Sequence, residues 1–440
     1  MKSYVFFSAY FKEKETVAAS RIYGLTKSLK TLGNEIVLCS PNVNFGNVSD
    51  DYFIDKFIYL PTEENPFLEK IRKVYKKNRI YEERNSERNS FRPYENVRSL
   101  IDNNILWYDH FYSPSRNQYF QVKYSSKLIK QIALQFSNSN PILVTSSGPS
   151  IMNYFGYKMK KKNPNIFWVA DYRDLNQNNP YKSDKFNFKG KKMDKLVFKY
   201  ADLITTVSYG AKEQNIENAR KMGYDIRDRT YVLYNGYSKD EVSRISSFEL
   251  SKKYKDILSS LKIKIIFTGT IYPLRRIDLF FEALREVDNA LFVYAGGSYD
   301  LVDYYRNKLK IESKVINLKV ISKEEAEFLQ RNSDILLQLK ADVKEDGILT
   351  GKFFEYLQKN KRILSLGDKD EEYNEICKSL KNVDILPYDK GRIAEYINSL
   401  KLEDLKENYD PNIERFSWEI LAKEFDDFIS QKLIERKSTA

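Results

Sequence analysis

The chain opens with a strand, a helix and a second strand: SYVFFSAY, then TVAASRIYGLTKSLKTLG, which stops at Gly33, then EIVLCSP. The outer two segments are short apolar runs, and the middle one carries its apolar residues at helical spacing. Two strands of one sheet joined through a helix run parallel, so this βαβ unit commits the chain to a parallel sheet with helices on its faces. The alternation continues through PILVTSS, a helix over SIMNYFGYKMKKK, NIFWVADYRD, a helix over KKMDKLVFKYA, then DLITTVS and TYVLYNG. After a polar helical stretch from Ser238 to Lys262 a second series begins. Its strands are KIIFTGTI, ALFVYAGG, KVINLKV, SDILLQL, RILSLGD and VDILPY, separated by helices over RIDLFFEALREV, LVDYYRNKLK, KEEAEFLQR and GKFFEYLQKN. Two series of similar size, joined near Asn235 and Gly236, predict two Rossmann-like domains facing across a cleft, and 440 residues suffice for two cores. The last helix, SWEILAKEFDDFISQKL, is expected to pack outside the second sheet.

Composition narrows the class. With 42% apolar and 30% charged residues the chain is globular rather than disordered, and no apolar run is long enough to cross a bilayer. The start, MKSYVFFSAYF, reads as the first strand and not as a signal peptide. Cys39 and Cys377 lie far apart and offer no metal spacing, which argues against a disulfide framework and for a reducing cytosol. His110, the one histidine, cannot form a His-based metal site alone. A net charge of +12 implies an anionic partner, whether nucleic acid, a membrane surface or a phosphorylated substrate. Between Pro66 and Arg98 the chain is basic with scattered aromatics. That stretch is either an ordinary solvated helical pair or a surface resting on anionic lipid, with Phe67, Leu68, Ile71 and Tyr75 dipping inward. It contains no recognisable nucleic-acid module.

Three loops at strand C-termini, where open α/β sheets place their ligands, carry the chemistry. In DGILTGKFFEYL, Thr350 is placed as an N-cap, Gly351 lets another group approach the backbone, and Lys352 falls in the first helical turn. The helix dipole disfavours a cation there unless an anion sits beside it, so a lysine, a glycine and unpaired N–H groups together describe a phosphate site. Glu355, one turn on, either accepts ribose hydroxyls or forms a plain surface ion pair with Lys352. In FTGTIYPLRR, Gly269 permits close approach, and Arg275 and Arg276 either clamp a diphosphate with Lys352 or form a solvated face. In VADYRDLNQNNPY, Asp171, Arg173 and Asp174 either line a cleft or cap and salt-bridge their own loop. The Asp368 and Asp370 pair in GDKDEE reads as a solvated acidic turn rather than a metal site.

Together these segments resemble the retaining glycosyltransferases of family 4, also called group 1, which have the GT-B fold. The matching pieces are VAASRIYGLTKSLKTLGNEIVLCSP, VTSSGPS, VADYRD, ADLITTVS, YVLYNGY, FTGTIYPLRR, SDILLQL and GILTGKFFEYL. The resemblance implies an acceptor-binding domain over residues 1–236, with the basic segment at about 66–98 as an insertion in it. A nucleotide-sugar-binding domain follows over 237–410, and a helix within 411–440 crosses back to the first domain. Glu355 matches the second Glu of the family's E-x7-E pattern and would hold the donor ribose. Gly269, Thr270, Arg275, Arg276, Gly351 and Lys352 would meet the diphosphate, and Ser147, Asp171, Arg173 and Asp174 fall on the acceptor side. Gly347 stands where the family has the first Glu, Thr270 stands where it has an arginine, and SAYFKEKETVAAS lacks its glycine pair. No counterpart of the family's N-terminal-domain histidine is found, so no catalytic base is assigned. The implied activity is transfer from a nucleotide diphosphate sugar to the hydroxyl of a glycan or lipid-linked acceptor with retention, without metal or other cofactor. A composition rich in Lys, Asn, Ile and Tyr fits a bacterial enzyme of surface polysaccharide or capsule assembly, expected in the cytoplasm or peripherally on the inner face of the cell membrane, with no nucleic-acid partner. A GT-B relative that epimerises or hydrolyses a nucleotide-sugar, and a non-catalytic nucleotide-sugar-binding protein, are the alternatives.

Overall fold

The structure, a computed structural model, describes residues 1–11, 17–41, 53–64, 110–113, 118–122, 126–136, 140–177, 184–239, 247–272, 274–344, 349–405 and 410–438. The basic stretch 66–98 and Gly347 lie outside these residues. Two compact units emerge, the first comprising Met1–Tyr237, Gly347–Leu349 and Phe416–Ala440, the second Ser238–Asp346 and Thr350–Arg415.

The first unit holds a parallel sheet of seven strands: β1 (Ser3–Phe7), β2 (Glu35–Pro41), β3 (Lys56–Leu60), β7 (Ile142–Ser146), β8 (Phe167–Tyr172), β9 (Leu203–Thr206) and β10 (Thr230–Val232). Between β3 and β7 the chain also makes a small antiparallel sheet from β4 (Thr62–Glu64), β5 (His110–Ser113) and β6 (Gln118–Val122). The large sheet has the order β10-β9-β8-β7-β1-β2-β3, so the chain leaves β1 in one direction and returns on its other side at β7. Val5 of β1 thus sits opposite both Val37 and Leu143. Because both faces are covered, the interior strands β1, β2, β7 and β8 are near-continuous apolar runs without alternation. One face buries Phe7, Phe155 and Trp168, and the other Tyr4, Phe6, Trp418 and Phe425.

The second face is closed by the helix Trp418–Ser438, which packs on the helix Val17–Thr31. Gly24, in the interior of that first helix, explains how closely the two meet: a Cβ there would overlap the indole of Trp418, which is buried. Alanine has the better intrinsic helix propensity, yet Gly24→Ala is expected to destabilise the fold by about 1–3 kcal/mol through overpacking. The midpoint of urea unfolding reads this directly, and a rise in the midpoint would mean that the helices separate at little cost.

The second unit has a six-stranded parallel sheet built from β11 (Ile263–Thr268), β12 (Ala290–Ala295), β13 (Val315–Asn317), β14 (Ile335–Leu339), β15 (Arg362–Leu366) and β16 (Val383–Leu386). Its order, β13-β12-β11-β14-β15-β16, reverses between β11 and β14. The helix Ile277–Arg285 seats Phe280 and Phe281 on Phe292 of β12, with Phe280 and Phe292 centroids 5.0 Å apart. At the reversal the connections after β11 and β14 leave in opposite directions and open a crevice at their C-terminal ends. Gly269 and Lys340 are the residues that follow those two strands.

Candidate functional site

Gly269 makes the turn out of β11 with φ of +111°, a conformation few side chains tolerate. The turn is pinned on three sides. The Gly269 N–H donates to the Ala295 carbonyl (2.7 Å), the Tyr294 hydroxyl donates to the Gly269 carbonyl (2.8 Å), and the Ile271 N–H donates to Ser298 Oγ (3.0 Å). Thr270 lies against the neighbouring Gly297 turn.

Lys352 reaches into this turn from the helix Gly351–Gln358. Its Nζ donates to the Thr268 carbonyl and lies 4.2 Å from the centroid of the Phe267 ring. A Cβ at position 269 would collide with that Nζ, so the glycine serves the lysine as well as the backbone. Thr268 itself is held by Tyr356, whose hydroxyl accepts from its N–H (3.2 Å), and by Gln330 Nε2, which donates to its Oγ1 (2.8 Å). Thr350 occupies the N-cap position with extended backbone but makes no side-chain cap; its hydroxyl accepts from Gln338 Nε2 (3.1 Å).

Desolvation, with the Arg275 charge beside it, pulls the Lys352 pKa down to about 7, and Glu355 on the same helix opposes the shift. Adjacent in sequence, Arg275 and Arg276 have different fates. Arg276 is exposed and pairs with Asp278 (2.8 Å) and Asp342 (3.8 Å). Arg275 is partly buried, stacks its guanidinium 5.1 Å from the Tyr272 ring, and has no hydrogen-bond partner at Nε among the described residues. Between Tyr272 and Arg275, Leu274 takes φ of +68°, an uncommon conformation outside glycine, and its carbonyl accepts from the Asp342 N–H (2.7 Å). Strain of this kind clusters at ligand sites.

A third cation was not read from the sequence. Lys340, 2% exposed at the end of β14, pairs with Asp370 (2.9 Å). Burial lowers its pKa, Asp370 opposes, and Arg275 adds to the lowering. Asp370, placed by sequence in a solvated turn, is instead buried, because it also caps the helix Glu371–Lys378 by accepting from the Tyr373 N–H (3.1 Å). The signal for Lys340 was a lysine directly after an apolar strand. At the reversal of the second sheet the structure thus gathers Gly269, Arg275, Lys340 and Lys352. Gly351 begins the helix, Glu355 follows three residues after Lys352, and Arg276 is turned to solvent.

In the first unit, the loops after β7 and β8 meet. Asp171 is 1% exposed and its carboxylate is fully engaged: Arg21 Nη2 and Nε donate to it (2.7 and 3.1 Å), as do Thr205 Oγ1 (2.7 Å) and Ser146 Oγ (3.3 Å). Burial alone would raise its pKa, but Arg21 and Thr205 outweigh burial and hold it below the usual value. Arg21 also donates to the carbonyls of Leu233 (3.0 Å) and Tyr234 (2.9 Å), so the pair ties β8 to the chain beyond β10. Of the two roles open to Asp171 from sequence, bracing its own surroundings fits this geometry. Arg173 donates to the carbonyls of Ser147 and Gly148 (3.0 Å each) and packs 5.7 Å from the Tyr10 ring. Ser147 is buried, and Asp174 is exposed.

No protein-family profile matches the sequence, and no curated protein matches it either. Solved structures do match along its length. Anabaena HepE in complex with UDP aligns with a TM-score of 0.62 at 12% identity, over 98% of this chain and 100% of that one. A glycosyltransferase from Rickettsia africae aligns with a TM-score of 0.56 at 14% identity, over 98% of each. The α,α-trehalose 6-phosphate synthase of Burkholderia multivorans aligns with a TM-score of 0.61 at 10% identity, over the whole of both chains. These similarities establish the fold: the chain has the α/β architecture of GT-B glycosyltransferases, with a Rossmann-like parallel sheet in each unit.

Proposed function

We propose that the protein transfers a sugar from a nucleotide diphosphate sugar to an acceptor hydroxyl with retained anomeric configuration, in the assembly of a bacterial surface polysaccharide or capsule. The observation that carries this reading is Lys352, a desolvated ammonium at a helix N-terminus, set against a second cation, Arg275, at the reversal of the second sheet. Two partly buried cations held near each other raise each other's free energy, and a diphosphate between them would relieve both. In sugar transfer the leaving diphosphate gains charge as the glycosidic bond breaks. Preorganised cations and helix N–H groups stabilise that charge most in the transition state; Lys352, Arg275 and the backbone N–H groups that open the helix Gly351–Gln358 would supply them, with no metal called for. Lys352 would exchange the Thr268 carbonyl for a phosphate oxygen, and Glu355 would accept the ribose hydroxyls. The Anabaena protein that shares the fold binds UDP and UDP-glucose, which supports the donor class. The first unit would take the acceptor near Ser147, Arg173 and Asp174, and the second the donor. No side chain is assigned as base; the departing phosphate would take the acceptor proton. A protein of this kind would work in the cytoplasm, on the inner face of the membrane that carries its acceptor.

A panel of nucleotide diphosphate sugars screened for thermal stabilisation tests the donor class, since ligand bound to the native state raises the melting temperature. Products are then analysed with donor alone and with acceptor. Rapid loss or epimerisation of donor alone would replace the transferase reading with an epimerase or hydrolase. Glu355→Gln should weaken nucleotide binding by about 1.5–3 kcal/mol, the value of a charge-assisted hydrogen bond, and leave the fold intact. Unchanged affinity for the free nucleotide would end the ribose assignment.

A further inference from the structure

Four helices pack on one face of the first sheet; three of them, Ser126–Gln135, Ile151–Lys162 and Asp184–Tyr200, lie side by side, and the fourth, Tyr209–Lys221, borders them with both signs of charge, Glu217 pairing there with Arg220 and Lys221. The inward residues of the three, among them Ile132, Phe155 and Phe198, belong to one core. Outward, the three read SKLIKQIALQ, IMNYFGYKMKKK and DKFNFKGKKMDKLVFKY, and the exposed positions include Lys127, Lys161, Lys162, Lys191, Lys195 and Lys199. Among the described side chains of these three helices the one carboxylate is Asp194, which is buried beneath the surface on Tyr172, Asn176 and Gln177. Half-buried rings lie between the lysines. Tyr157 and Tyr200 meet across two helices at 5.1 Å, Lys158 Nζ lies 5.1 Å from the Tyr154 ring, and Lys161 and Lys199 lie 5.6 and 5.3 Å from the Tyr200 ring. Leu134 adds an apolar side chain that is 59% exposed. An ordinary solvated surface intersperses both signs, because like charges repel; a face of one sign is matched by a surface of the other.

We propose that this three-helix face docks the protein on an anionic lipid surface. Three helices packed side by side on one face of a sheet offer a broad face rather than a groove. Their cations are lysines, point charges suited to headgroups, rather than the arginine forks that read bases and grip phosphates in nucleic acids. Tyrosines at the level of the ammonium groups have the amphipathic character of the membrane interface.

The test is co-sedimentation of the full chain with vesicles of phosphatidylcholine alone or with one-third phosphatidylglycerol, together with a single-stranded oligonucleotide arm. Three variants are compared: Lys158, Lys161, Lys192 and Lys195 to Gln on the face; Lys70, Arg72, Lys73 and Lys76 to Gln in the basic stretch; and Lys252, Lys255, Lys310 and Lys401 to Gln in the second unit. Each lysine near an anionic surface is worth about fivefold in partition, so the face variant should lose on the order of a hundredfold or more. The second-unit variant should lose little, and binding should fall steeply with salt. Equal losses in the face and second-unit variants, a loss confined to the basic-stretch variant, equal binding to both vesicle types, or tighter binding to the oligonucleotide than to the anionic vesicles would each overturn the proposal. Circular dichroism of each variant excludes unfolding as the cause of a loss.

Discussion

Lys352→Ala is expected to lower turnover about 10²- to 10³-fold, the cost of removing one preorganised group from developing charge. Binding should suffer less than turnover, because the charge on the leaving diphosphate is greatest in the transition state. The stabilisation conferred by a nucleoside diphosphate should fall by more than that conferred by the nucleoside, and equal losses would show that Lys352 never meets phosphate. Combination with Arg275→Ala should be non-additive, since in the proposed site one ligand group would bridge both cations, whereas Arg276, engaged by Asp278 and Asp342, should behave independently.

The pH dependence of the same site has a definite sign. In the folded protein Lys352 loses its proton at about 7, against about 10.4 for an unperturbed lysine. The unfolded state therefore binds more protons between these values, and this residue's penalty on folding is fully present below pH 7 and fades as pH rises toward 10. Lys352→Met should accordingly raise the melting temperature of the ligand-free protein at pH 7 and do little at pH 10. A diphosphate sugar, whose phosphates do not titrate in this range, should bind with proton uptake above pH 7, and its affinity should fall by at most about tenfold per pH unit. Calorimetry in buffers of different ionisation enthalpy measures that proton; no uptake at pH 8 would place the ammonium away from the ligand.

The largest loss of stability is expected from Arg21→Met. Arg21 and Asp171 are almost fully excluded from solvent, with side-chain exposures of 0% and 2%. Removing the guanidinium strands a buried carboxylate and two carbonyls, for a cost of about 3–5 kcal/mol. In the parent the pair stabilises the fold above the ordinary carboxylate range and is lost as pH drops below the lowered Asp171 pKa. In the variant, burial acts on Asp171 without Arg21 to oppose it, so acidification should relieve rather than worsen the defect. Adding Asp171→Leu should restore part of the loss, because an apolar pair of similar volume avoids the buried charge. Denaturant unfolding from pH 4 to 8 checks both points, and a loss near zero for Arg21→Met would mean that water reaches Asp171.

Much of the architecture was legible because strands buried on both faces announce themselves as apolar runs. NIFWVADYRD and KIIFTGTI became β8 and β11. KFIYL, the edge strand β3, has an apolar run of its own but is only partly buried, with no helix pattern leading into it. The helix Tyr209–Lys221 escaped notice for a related reason: its buried residues include Asn215 and Asn218, so it lacks an apolar stripe. Lys352 was legible because a cation in the first turn of a helix is a local anomaly. Lys340 and Asp370 were not, since they meet only when β14 and β15 lie side by side, a fact of sheet order rather than of either segment. Nor could the sequence separate Arg275 from Arg276, because neighbouring residues in a tight turn point in different directions.

The Trp418–Ser438 helix sets the order in which the two units can complete their cores. Its Trp418, Leu421 and Phe425 share a core with Tyr4, Phe6 and Leu25 from the start of the chain. On a ribosome the first unit is synthesised early but lacks one wall of its core until this late segment emerges. The second unit, whose strands all lie between β10 and that helix, is complete sooner. Domains usually fold in the order of synthesis. Here the unit begun first is finished last, and its apolar face over β1 must be kept from other chains for nearly the whole of translation.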